Sequence, residues 1–172
     1  MKALVVYSTL TGNTKMVAEG IFSALPDSAE CYDVKEAPDP DGYDLLLPGF
    51  WVDKGHADKA MLEYFEKITN KKTAFFFTLG AYPDSEHADE VAADTCRRLE
   101  KNGNRILGHF RCQGRVGPEL LERLKKMLPP DHPHARMTPE RRARLEEAAK
   151  HPDGRDVAEA REFAKGLERF FK

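Results

Sequence analysis

The chain has 172 residues, 41% of them hydrophobic and 33% charged, with a formal net charge of −2. That length suits one domain able to bury a real core, and the composition excludes a disordered chain. The near-neutral charge gives no reason to expect nucleic acid as a partner, and no apolar run is long enough to span a bilayer. The three cysteines, Cys31, Cys96 and Cys112, are odd in number and far apart, so neither a disulfide framework nor a CxxC pair is expected. One lysine followed at once by a core-type strand lacks the cleavage pattern of a secretory signal, so reduced thiols and a cytoplasmic location are expected.

The first predicted element is the apolar strand Ala3 to Tyr7, which runs into Ser8-Thr9-Leu10-Thr11-Gly12-Asn13-Thr14 and then into a helix. A helix N-terminus with unsatisfied N–H groups attracts anions, and hydroxyls at 8, 9, 11 and 14 with the amide at 13 add donors for a terminal phosphate. The loop is neither the G-x-x-x-x-G-K-[ST] of nucleoside triphosphate sites nor the G-x-G-x-x-G of dinucleotide folds. An ordinary capped helix is the plain alternative, because Ser, Thr and Asn favour caps for local reasons.

The first helix, starting near Asn13 or Thr14, places Val17, Ile21, Phe22 and Leu25 on one face and stops at Pro26. Glu30 to Val34 is a short strand. After a Pro/Asp/Gly turn, Tyr43 to Phe50 reads as a fully buried strand that opens into a loop, Trp51-Val52-Asp53-Lys54-Gly55-His56. A second helix presents Ala57, Met61, Tyr64, Phe65 and Ile68 inward. The strand Thr73 to Leu79 leads to a polar loop, Gly80-Ala81-Tyr82-Pro83-Asp84-Ser85, and a third helix with Ala88, Val91, Ala92, Thr95 and Leu99 inward. Arg105 to Cys112 is the fifth strand. Beyond Gly114, Pro118 to Leu128 and Pro139 to Lys150 read as helices, and His132-Pro133-His134 between them as a loop feature rather than a metal site. The last helix, Asp156 to Phe171, covers the sheet with Val157, Ala160, Phe163, Ala164, Leu167, Phe170 and Phe171.

This alternation predicts an α/β fold in one domain. It is a doubly wound, five-stranded parallel sheet of order 2-1-3-4-5 with helices on both faces, and an extra helical segment lies before the last helix. Ligands of such sheets bind outside the carboxyl ends of the strands. Here those ends are the phosphate-type loop, the loop carrying Trp51 and the loop carrying Tyr82, a set that suits a flat ring bearing a phosphate. Cys112, at the end of strand five, is read as a structural thiol.

On Ser8, Thr9, Thr11, Gly12, Asn13 and Thr14 following the first strand, the chain resembles the flavodoxin family over roughly residues 1–115 plus the final helix. The resemblance implies FMN as cofactor, with the phosphate held by Ser8, Thr9, Leu10, Thr11, Gly12, Asn13 and Thr14. It implies further cofactor contacts from Phe50, Trp51, Val52, Asp53, Lys54 and Gly55, and from Leu79, Gly80, Ala81, Tyr82 and Ser85. Trp51 and Tyr82 are the expected flanking aromatics, with Phe50 able to substitute for Trp51. Gly55 is the candidate for a backbone flip toward N5 of the reduced flavin. Asp53, if it faces the ring, lowers the reduction potential. The second aromatic loop lacks the Gly-x-Gly-Asp-Ser-x-Tyr spacing of short-chain carriers.

The leading functional expectation is an electron carrier for a partner reductase or other redox enzyme. An FMN-dependent NAD(P)H or quinone oxidoreductase is the alternative, and a flavin-free signalling or phosphatase module the third. The last lacks both paired acidic residues after strand one and a C-x5-R signature. Residues 115–150 are expected to form a partner or self-association surface that contributes little to FMN binding, while the oligomeric state is left open.

Overall fold

The computed structural model describes residues 1–133 and 135–171. Its elements begin with β1 (Ala3–Tyr7), α1 (Asn13–Phe22), β2 (Glu30–Asp33), β3 (Leu45–Asp53), β4 (His56–Ala57) and α2 (Lys59–Phe65). They continue with β5 (Lys72–Leu79), α3 (Glu86–Lys101), β6 (Arg105–Gln113), α4 (Pro118–Met127), α5 (Pro139–Ala148) and α6 (Gly154–Gly166). Short 3-10 turns span Pro40–Gly42 and Leu167–Phe170. The strands lie in the order β2-β1-β3-β5-β6, every adjacent pair parallel, with β4 turned back antiparallel on β3. The five parallel strands therefore have the predicted 2-1-3-4-5 arrangement. The short β4 was not anticipated.

Apolar side chains divide between the two faces of the sheet. Leu46, Phe50, Phe75 and Phe77 meet Met61, Tyr64 and Phe65 of α2 and Ala88, Val91 and Leu99 of α3. Leu45, Leu47 and Phe76 meet Val17, Ala18 and Ile21 of α1 and Ala160 and Ala164 of α6. Phe50 and Phe77 stack at 5.3 Å between centroids with 11° between planes, and Phe65 meets Phe50 edge-on at 6.0 Å. Phe22 departs from the predicted inward face: it is 39% exposed, because Val17, Ala18 and Ile21 already fill the contact with α6. The last helix also ends sooner than periodicity suggests. It passes into the 3-10 turn at Leu167, which keeps Leu167 buried while the chain tightens.

Asp58 caps α2 through a bond from Met61 N–H and accepts a second from the Ser8 hydroxyl at 2.7 Å, both inside the protein. Its other oxygen, Oδ2, is buried without a partner, and burial raises the Asp58 pKa above the ordinary carboxylate value.

The additional helices sit outside these two layers. No residue of α4 is buried, and Ala148 is the buried residue of α5. His132 N–H donates to Pro129 in the intervening loop, and His134 lies outside the described residues. The segment is fastened at its far end by His151, whose Nδ1 lies 2.6 Å from Asp156 and whose Nε2 lies 3.2 Å from Glu147. The Asp156 hydrogen bond raises the His151 pKa above its usual value near 6.5, against a smaller opposing effect of burial. Asp153 and Asp156 meanwhile form a reciprocal capping box at the start of α6.

Two expectations follow from the packing. Gly49 of β3 stands directly beside Phe76 of β5, and a methyl placed there would fall within the Phe76 ring. Gly49→Ala is therefore expected to lower unfolding free energy by about 1–3 kcal/mol in denaturant titrations, with partial recovery in the Gly49→Ala/Phe76→Leu double variant. For His151, a pKa raised on folding contributes stability that is complete below the unfolded value and is lost as pH rises through the folded one. Thermal stability should thus decline across the pH interval just above 6.5, and His151→Asn should flatten that decline.

Candidate functional site

At the end of β1 the backbone turns through Gly12, which has φ +90° and stands as the N-cap of α1 without any side-chain capping bond to the helix. Gly12 N–H donates to Thr9 Oγ1 at 3.0 Å, and Met16 N–H closes the first helical turn on the Gly12 carbonyl. With no side-chain cap, the first-turn N–H groups of α1 are left for a ligand, where the helix dipole favours an anion. A left-handed residue at this corner favours glycine. Asn13 is turned aside to donate through Nδ2 to the Arg115 carbonyl at 2.9 Å, and Thr14 Oγ1 is buried 2.9 Å from Thr78 Oγ1. Ser8 requires a correction. Its hydroxyl is buried and spent on Asp58, pointing to the cap of α2 and away from the phosphate loop.

The predicted aromatic loop at 51–56 is mostly strand. β3 continues through Trp51, Val52 and Asp53, then reverses at Lys54 (φ 52°) and Gly55 (φ 83°) so that Asp53 pairs with His56 and Val52 with Ala57. Two successive positive φ angles make this the two-residue turn that matches the twist of a hairpin. Strand alternation then separates the two aromatics. Phe50 faces α2 and is 0% exposed within the phenylalanine cluster, so its ring cannot take the place of Trp51 against a cofactor. Trp51 is half-buried on the opposite face, paired in register with Thr78.

The loop after β5 is built around the start of α3. Ser85 Oγ accepts from Ala88 N–H and donates to the Tyr82 carbonyl at 2.6 Å, so this hydroxyl is a helix cap. Ala81 packs on the α2/α3 core, while Tyr82 is 40% exposed. The hairpin tip reaches this loop region, since a Cβ on Gly55 would lie 3.8 Å from His87 Cε1.

Between these elements lies a shallow, open cleft with about 50 Å³ of space for water-sized contents. It is lined by Thr9, Leu10, Thr11, Asn13 and Thr14 after β1, by Trp51 and Val52 of β3, by Thr78, Leu79 and Gly80 at the end of β5, and by Gly114, Arg115, Val116, Gly117 and Leu120 after β6. Asp53, Lys54, Gly55, Ala81, Tyr82 and Ser85 are not among the lining residues and stand on the two neighbouring loops.

Arg115, Val116, Gly117 and Leu120, at the start of the segment expected to contribute little to FMN binding, are among the residues lining this cleft. After β6 the chain is tied across the cleft: Gly114 N–H donates to the Leu79 carbonyl, and Gln113 Nε2 to those of Gly80 at 3.1 Å and Arg144 at 3.4 Å. Arg115 N–H donates to the His151 carbonyl. Sequence reasoning missed Thr78 and the lining residues after β6, although the closely spaced Gly114 and Gly117 after a strand were a signal for close approach. A Cβ on Gly117 would lie 3.0 Å from Thr11 Cγ2. Cys112, in register with Thr78, is 3% exposed and sits in the core against α1 and α6. Burial pushes its thiol pKa far up, raises Cys96 as well, and lifts Cys31 to about 11.

Comparison with known proteins agrees with this architecture. Residues 4–165 match the model of the flavodoxin domain family. The flavodoxin-like domain-containing protein BilS of Clostridioides difficile (strain CD3) is 38% identical, over 97% of this chain and 96% of that protein. A flavodoxin from the domain Archaea superposes with a TM-score of 0.64 at 14% identity, covering 99% of this chain and 98% of its own. A Lactobacillus acidophilus NCFM flavoprotein, solved in complex with FMN, gives a TM-score of 0.53 at 19% identity, over 64% of this chain and 92% of that one. Among the described residues no helix is long and apolar enough to cross a membrane. The fold, the uncapped helix at the carboxyl end of β1 and the near full-length relationship place this chain in the flavodoxin domain family.

Proposed function

We propose that the cleft binds FMN and that the protein is a redox carrier, exchanging electrons with a partner enzyme through the bound flavin. One observation supports this most directly: a single cleft joins the uncapped N-terminus of α1, turned through a left-handed Gly12, to a half-buried Trp51. The donor set fits the cofactor, with neutral hydroxyl and amide donors suited to a terminal phosphate and an aromatic face suited to a ring. FMN, when bound, supplies the one- and two-electron chemistry.

The residues of the chain then bind, orient and shield. Thr9, Thr11 and the first-turn amides hold the phosphate, Trp51 lies against the ring, and Val116 and Leu120 keep water from the apolar side of the cleft. Asp53, Lys54 and Gly55 at the hairpin tip, and Tyr82 on the next loop, rim the site and set what approaches it. Asp53 brings a negative charge to that rim, which opposes further negative charge on a nearby ring. No acid, base or nucleophile from the protein is required for such exchange.

Apoprotein titrated with flavins should bind FMN more tightly than riboflavin, because the phosphate loop has no use for the shorter molecule. Gly12→Val should abolish FMN binding by forcing a branched residue into the left-handed corner, at a cost to apoprotein stability limited to that local strain of about 1–3 kcal/mol, since a side chain there meets nothing within 4 Å. Equal affinity for both flavins would defeat the assignment. Trp51→Ala should weaken FMN binding by about 1–3 kcal/mol with the far-ultraviolet dichroism unchanged. Steady NAD(P)H oxidation with a quinone and no added reductase would identify an oxidoreductase instead of a carrier.

A further inference from the structure

The strap that closes the cleft carries a charge that nothing in the phosphate loop supplies. With Ser8, Asn13 and Thr14 engaged elsewhere, the loop is left with the hydroxyls of Thr9 and Thr11 and backbone N–H groups, all neutral, whereas a phosphate monoester at neutral pH bears close to two negative charges. Arg115 is the only charged residue among those lining the cleft, as far as the described residues go. Its backbone is fixed on both sides of the peptide: the N–H donates to the His151 carbonyl at 3.0 Å, and the carbonyl accepts from Asn13 Nδ2 at 2.9 Å. That second bond joins Arg115 to the first residue of α1, the helix whose N-terminus faces the ligand. Contact of Gly117 with Thr11 holds the same strap against the loop two residues later.

The guanidinium itself is uncommitted. Arg97, Arg98, Arg111 and Arg155 each pair with a carboxylate, but among the described residues none pairs with Arg115. Lys15, the nearest cation in sequence to the loop, lies 3.9 Å from Glu19 one turn along α1. We infer that Arg115 is the counter-ion of the cofactor's terminal phosphate, carried to the loop by the strap after β6. A planar fork of N–H donors can take two phosphate oxygens at once, which the hydroxyls cannot do individually. The extra segment thereby confers selectivity for the phosphorylated flavin.

This inference rests on the FMN reading, and one set of titrations separates the two. Apoprotein of the wild type, Arg115→Gln and Arg115→Lys is titrated with FMN and with riboflavin, at low and at high salt. Arg115→Gln should weaken FMN roughly tenfold and leave riboflavin unchanged, and its FMN affinity should depend less on salt than that of the wild type. Arg115→Lys should fall between them, keeping the charge without the fork. Parallel losses for both flavins, or no loss for FMN, would overturn the role of Arg115 while leaving the cleft as the FMN site. A wild-type protein that binds neither flavin would overturn the FMN reading together with this one.

Discussion

One hydrogen bond between two buried hydroxyls, Thr14 Oγ1 and Thr78 Oγ1, ties the start of α1 to the carboxyl end of β5, where the cleft lies. Both hydroxyls are buried and each satisfies the other at 2.9 Å, so the first turn of α1 is fixed to β5, the neighbour of the central strand β3. Thr78 is also the register partner of Trp51 on β3. The start of α1 and the position of Trp51 are therefore measured from the same residue, one through its side chain and the other through the strand ladder. With glycine as its N-cap, helix α1 loses only about a few tenths of a kcal/mol for lacking a side-chain cap, and burial of Val17, Ala18 and Ile21 more than offsets that cost.

The segment after β6 is integrated by a different means. It contributes little to the two apolar layers, yet Gln113, Gly114 and Arg115 spend their hydrogen bonds on the loop after β5, on α5, on α1 and on the turn at His151. Polar ties of this kind fix position with little buried area. A rearrangement of α4 or α5 would accordingly be felt at the cleft before it was felt in the core.

Much of this was legible in the sequence, and for identifiable reasons. The inner parallel strands are buried apolar runs and the helices that flank the sheet repeat their small and branched residues every three or four positions, so the α/β class and most inward faces, Phe22 excepted, followed from pattern. The phosphate loop was visible in its hydroxyls and single glycine. What escaped was contact that crosses the chain. Ser8 looks like any other hydroxyl of the loop until Asp58, fifty residues on, is brought beside it. Phe50 and Trp51 are neighbours in sequence, but the strand extends further than the apolar run suggests, and alternation sends them to opposite faces. The place of residues 114–120 was hidden because it depends on bonds to Leu79 and Asn13; the spacing of Gly114 and Gly117 signals a close approach without saying what is approached.

The burial of the sulfur atoms has a chemical consequence of its own. Only thiolate attacks peroxide or a disulfide at a useful rate, and Cys31, Cys96 and Cys112 are all displaced toward the protonated form by their surroundings. Cys112, although one strand away from Thr78, is shut behind α1 and α6 and cannot meet an oxidant in solution. Sulfenylation and mixed-disulfide formation at Cys112 are thus disfavoured by burial, although that sulfur lies in register with a residue lining the cleft.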